Sequence, residues 1–104
     1  MPSPNRGEVW LVDLGMVAKV RPGLVISIPA LDQDRALVTV VPHTTSPRGS
    51  RFEVDIKAKF LRSGVFDAQS LVTIPEAKLM RKLGALSASQ MSAVESAVRL
   101  WLKL

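Results

Sequence analysis

The 104-residue chain has no cysteine, no tyrosine, a single histidine, and nine acidic residues against fourteen Lys and Arg. The missing cysteines exclude disulfides and thiolate metal sites, and His43 among scattered carboxylates offers no zinc-ligand spacing, so no metal site is expected. No run of about 18 apolar residues is present, which excludes a membrane-spanning segment. Residues 1–6, Met-Pro-Ser-Pro-Asn-Arg, lack the apolar centre of a signal peptide, and the expected location is the cytoplasm. Aromatic residues make up only 5%. Base-stacking platforms are therefore few, and any recognition of nucleic acid has to rest on hydrogen bonds and charge.

What remains is an ordinary globular composition, 47% hydrophobic and 22% charged, with a net charge of +5. A chain of this length forms one domain, taken as residues 1–104, and buries roughly two thirds of its unfolded surface, enough for one modest core. The positive charge favours nucleic acid, an anionic membrane surface or an acidic protein as partner.

Along the chain, short apolar runs alternate with turn signals. After a Pro-containing lead expected to lie on the surface, residues 7–14 alternate, with Trp10, Val12 and Leu14 on one face, and residues 13–20 form a loop turning at Gly15. Residues 24–28 read as a buried strand that Pro22-Gly23 introduces, and residues 37–41 as a strand ended by Pro42. Residues 43–51 read as a loop of hydroxyls and cations. Residues 52–56 alternate strictly, with Phe52, Val54 and Ile56 inward and an acidic outer face. Residues 57–62 suggest a helical turn closed by Gly64, residues 71–74 a strand stopped by Pro75, and residues 76–83 either a short helix or an edge strand. Ser87 and Gln90 form a capping box, and Met91, Val94, Val98, Trp101 and Leu102 recur at helical spacing. That face is required by the core, which leaves no separate patch for a dimer. The pattern is mainly β with a C-terminal helix, a bent antiparallel sheet or small open barrel.

Arg21 is the first candidate site residue. Anchored where an apolar strand begins, a permanently charged guanidinium is placed to hold a phosphate, although such a residue also makes surface ion pairs. Lys19, Arg48 and Arg51 flank the two loops and suit phosphate steering as a group, whereas each alone is an ordinary solvated charge. Thr45, Ser46 and Ser50 suit hydrogen bonding to a ligand or to their own turn. Ser27 has no base partner or nucleophile motif and reads as structural.

Arg6-Gly7-Glu8-Val9-Trp10, residues 19–27 (Lys-Val-Arg-Pro-Gly-Leu-Val-Ile-Ser), residues 38–45 (Val-Thr-Val-Val-Pro-His-Thr-Thr) and Phe52-Glu53-Val54 together resemble the MazF/PemK (Kid) toxin family, in order over nearly the whole chain. Residues 64–70 and the terminal helix resemble its second half. The resemblance implies an SH3-like barrel and a homodimeric, metal-independent endoribonuclease toxin that uses no cofactor. It implies cleavage of single-stranded RNA at short sequences and neutralisation by a cognate acidic antitoxin. By motif position it assigns the active-site Arg to Arg21 and the active-site Thr to Thr44, with RNA contacts expected from Lys19, His43, Thr45, Ser46, Arg48, Arg51 and Gln69.

Attack of a ribose 2′-hydroxyl on the adjacent phosphorus builds negative charge on the phosphoryl oxygens, which a guanidinium fork and a hydroxyl donor stabilise. An Arg, with a pKa above about 12, is poorly matched to proton transfer at neutral pH, so its role is read as electrostatic. His43 has a suitable pKa range, but strict alternation turns it away from Thr44, and a structural or RNA-contacting role is favoured. Gln69 follows Asp67 with one residue inserted relative to the family's Asp-Gln step. Many family members carry a longer first loop with Gly and an acidic residue a few positions before the Arg-Pro step, and residues 13–20 offer no such acid. Two other readings stand beside the nuclease: a CcdB-type gyrase poison, and an inactive nucleic-acid-binding barrel.

Overall fold

The computed structural model describes residues 4–15 and 19–104. Among these, seven strands and one α-helix follow in the order β1 Glu8–Asp13, β2 Val20–Val25, β3 Leu37–Thr44, β4 Glu53–Val54, β5 Val65–Asp67, β6 Val72–Pro75, β7 Leu79–Ala85 and α1 Ala88–Leu102. All pairings are antiparallel, and the path across the sheet is β4-β5-β3-β2-β1-β7. β6 joins β3 on the same edge as β5, pairing with residues 37–40 while β5 pairs with residues 43–44. No pairing among the described residues closes the sheet.

The three central strands bury both faces because apolar residues occupy odd and even positions alike. Val9, Leu24 and Val41 face a core completed by Ile56, Phe66 and the helix residues Met91 and Val94. Trp10, Val12, Val25, Val38 and Val40 face the other way and meet Ile74 of β6 and Leu79 of β7. Outer strands from both sides of the sheet reach this second core, so the sheet has to bend around it. Gly23 belongs to that concave face: a Cβ there would lie 3.0 Å from Val12 Cγ2 and 3.2 Å from Val40 Cβ.

Two prolines sit inside strands rather than bounding them. β2 begins at Val20, so Pro22-Gly23 lies within it, and β3 continues through Pro42 to Thr44. Both exceptions have a local reason. Pro22 pairs with β1 but precedes the part of β2 that meets β3, and Pro42 falls where β3 exchanges β6 for β5 as partner. Proline is tolerated in a strand where a ladder is interrupted.

Other sequence expectations need adjustment. Residues 57–62 form no helix, only a turn in which Leu61 N–H donates to the Ala58 carbonyl at 3.0 Å. The strand expected over 52–56 is ladder-bonded only at Glu53–Val54, although Phe52 and Ile56 are buried as their alternation requires. Residues 76–83 resolve into a 3-10 turn at Glu76–Lys78 followed by the edge strand β7. Within the N-terminal lead Pro4 is buried, while residues 1–3, and residues 16–18 of the first loop, lie outside the described residues.

Helix α1 is capped as its sequence requires: Ser87 Oγ accepts from Gln90 N–H, and the Gln90 side chain accepts from Ser87 N–H. Met91, Val94 and Ala97 are buried, but Trp101 and Leu102 remain 43% and 46% exposed. The last turn is only partly covered, and Trp101 packs edge-on against Phe52 at 5.2 Å. With Leu100 and Leu104 also exposed, the helix end presents apolar surface that the core does not use, contrary to the expectation from periodicity. No helix among the described residues is long and apolar enough to cross a membrane.

Glu8 ties the start of β1 to its neighbours. Its carboxylate accepts from Asn5 N–H at 2.9 Å and Trp10 Nε1–H at 3.0 Å, and meets Lys82 Nζ at 3.0 Å. Burial alone would raise its pKa, but these donors outweigh it and hold the carboxyl at about 2. A carboxyl depressed in the folded state stabilises above its unfolded pKa and loses that contribution as pH falls through the folded value. We expect Glu8→Gln to cost on the order of 2 kcal/mol at neutral pH, by urea denaturation. The difference from wild type should shrink as pH falls from 4.5 towards 2.

Candidate active site

The register that pairs Gly23 with Pro42 and Val25 with Val40 places Arg21 across from Thr44 when continued by two residues. Alternation puts both on the concave face, beyond the edge of the second core. There a cleft of about 690 Å³ opens, with Leu14, Val72 and Ile74 as its apolar floor and Arg21, Thr44, Ser46 and Arg48 among its polar walls. Both Arg21 and Thr44 are half-buried, each held by its strand at the wall of the cleft. Thr44 Oγ1 accepts from Ser46 N–H at 3.1 Å, which orients the hydroxyl and leaves its hydrogen to donate.

The other expected contacts divide sharply. Ser46 and Arg48 join Arg21 and Thr44 in the cleft, whereas Thr45 and Gln69 are exposed outside its walls. Lys19 is also outside, in a left-handed conformation (φ 59°), closing the first loop through Lys19 N–H to Gly15 O at 2.6 Å and Leu14 N–H to Lys19 O at 2.9 Å. Arg51 lies with its guanidinium 4.8 Å from the Phe52 ring centroid.

His43, expected to have a structural or RNA-contacting role, sits largely in the core. It is 2% exposed and packs edge-on against Phe66 at 5.1 Å, on the helix-side face opposite Thr44. Among the described residues Nε2 has no hydrogen-bond partner, and burial lowers its pKa despite the opposing field of Asp55. The ring fills the core, and His43 is also among the residues that line the cleft.

Three polar cleft residues, Glu53, Asp67 and Ser70, escaped the sequence reading. Glu53, read only as part of an acidic outer face, turns its carboxylate into the preceding loop and accepts from the N–H groups of Arg48, Gly49 and Ser50 at 2.7–3.1 Å. These bonds, led by that from Arg48, hold its pKa below the usual carboxylate value. Asp67 caps the 3-10 turn Ala68–Ser70, accepting from Gln69 N–H at 3.1 Å and Ser70 Oγ–H at 2.7 Å. The available signals were an acid three residues after Arg-Gly-Ser and the Asp-x-x-Ser spacing. Among the described residues, no three His, Cys, Asp or Glu side chains gather into a metal-binding group.

Residues 5–102 match the family model described as PemK-like, MazF-like toxin of type II toxin-antitoxin system. The chain belongs to this toxin family. Among solved structures, the Mycobacterium tuberculosis toxin MazF-mt6 is 31% identical over 93% of this chain and 97% of its own, with a TM-score of 0.79. An endoribonuclease in complex with its cognate antitoxin, from a mycobacterial species, is 27% identical over 100% and 97%, with a TM-score of 0.81. MazF of Deinococcus radiodurans, 24% identical over the full length of both chains, shares the fold at a TM-score of 0.83.

Proposed function

We propose that this PemK/MazF-type toxin is an endoribonuclease that cuts single-stranded RNA at short sequences and is silenced by a cognate acidic antitoxin. The observation that carries the reading is the cross-strand juxtaposition of Arg21 and Thr44 in an open cleft of a chain belonging to that family. The 2′-oxygen forms a bond to phosphorus as the bond to the 5′-oxygen breaks, giving a 2′,3′-cyclic phosphate and a 5′-hydroxyl. Arg21 offers a two-pronged donor to the phosphoryl oxygens and Thr44 a hydroxyl, both pre-positioned by strands, so little reorganisation accompanies the charge build-up. Ser46 and Arg48 extend the donor surface along the cleft.

The reading includes metal-independent chemistry, a cytoplasmic location, a homodimer and an SH3-like description of the bent sheet. A net charge of +5 suits both RNA and an acidic, partly disordered antitoxin segment that neutralises the cleft. The purified protein is expected to cleave single-stranded RNA in EDTA and leave cyclic-phosphate ends, detected by end-mapping of a long transcript. Inhibition of DNA supercoiling without RNA cleavage would overturn the reading in favour of a gyrase poison, and salt-sensitive binding without turnover in favour of an inactive barrel.

A further inference from the structure

The loop between β3 and β4 is stitched at both ends to cleft residues. At its start Thr44 Oγ1 accepts from Ser46 N–H, and at its end Glu53 gathers the N–H groups of residues 48–50. Successive N–H groups converging on one point form an anion-binding nest, and here the chain's own carboxylate fills it. Gly49, at φ 78°, supplies the left-handed step that lets them converge. Ser50 Oγ accepts from Phe52 N–H at 3.1 Å and Glu53 N–H donates to Ser50 O at 3.2 Å, closing the turn. Arg48, the cation this loop presents to the cleft, has its backbone N–H bonded to both carboxylate oxygens of Glu53.

The geometry points to Glu53 as a positioning residue that locks the 45–52 loop and thereby aims Arg48 and Ser46 at the RNA. The inference rests on the endoribonuclease reading and deepens it, because it gives an acidic residue in an anion-binding cleft a task that favours substrate binding. Electrostatics alone makes the opposite prediction: deleting a negative charge beside a polyanion should tighten binding.

The sign of the effect therefore separates the two. We expect Glu53→Ala to raise KM for a short single-stranded RNA about tenfold with kcat changed less than about threefold, as loss of substrate positioning requires. Glu53→Gln retains Oε1, which alone accepts from all three N–H groups, and should restore KM to within about threefold of wild type. Asp55→Asn, at an exposed position paired with Lys57 at 3.4 Å, makes the same charge change outside the cleft and should leave KM unaltered. Arg48→Ala should reproduce most of the Glu53→Ala effect, and the double variant should fall well short of the product of the two single effects. A KM for Glu53→Ala equal to or below wild type, or effects that multiply in the double variant, would overturn the inference. A wild-type protein that cleaves no RNA would instead overturn the endoribonuclease reading, and this inference with it.

Discussion

Arg21→Ala should lower the single-turnover rate of RNA cleavage by about 10³-fold, the scale for removing a pre-positioned donor from a phosphoryl-transfer site. The loss should fall on kcat, because the guanidinium is worth most when charge develops on the phosphoryl oxygens. Arg21→Lys keeps the charge but not the planar fork, and should recover only part of the rate. Thr44→Val, which removes one hydroxyl donor and the acceptor for Ser46 N–H, should cost about 10- to 100-fold. Parallel melting curves separate these effects from unfolding, and wild-type rates in Arg21→Ala would remove this residue from the mechanism.

Gly64→Ala should damage stability and activity together. A Cβ at this position would stand 2.2 Å from the backbone carbonyl oxygen of Thr44 and 2.8 Å from His43 Cε1. Neither neighbour yields easily: Thr44 is in a paired strand, and the His43 ring is wedged against Phe66. Relief requires β3 and β5 to separate where Thr44 is positioned. We expect a destabilisation of about 3 kcal/mol by urea denaturation, the overpacking range, and a melting temperature lower by roughly 15 °C for a domain of this size. RNA cleavage should fall even at temperatures where the variant is folded. A variant with wild-type melting and rate would show that this junction is softer than its contacts indicate.

Much of the architecture is determined within a few residues of chain. Short runs of β-branched and aliphatic residues mark Val9 to Val12 and Val38 to Val41 as strands, and the Ser87–Gln90 capping box starts α1, because these signals lie within a few neighbouring residues. The cation at Arg21 and the hydroxyls after β3 were legible for the same reason, as was the turning of His43 away from Thr44. Tertiary structure decided what depends on neighbours distant in sequence. Pro22 and Pro42 are admitted into strands where ladder partners change, and Trp101 and Leu102 stay partly exposed because the helix makes its core contacts through Met91, Val94, Ala97 and Val98, short of its end. His43 is a core residue because Phe66 meets it, and Glu53 serves the loop rather than the solvent because three N–H groups converge on its carboxylate. Local patterning names the groups available for phosphate chemistry. Strand register and loop closure determine which of them share one cleft, since those depend on contacts that no short window of sequence contains.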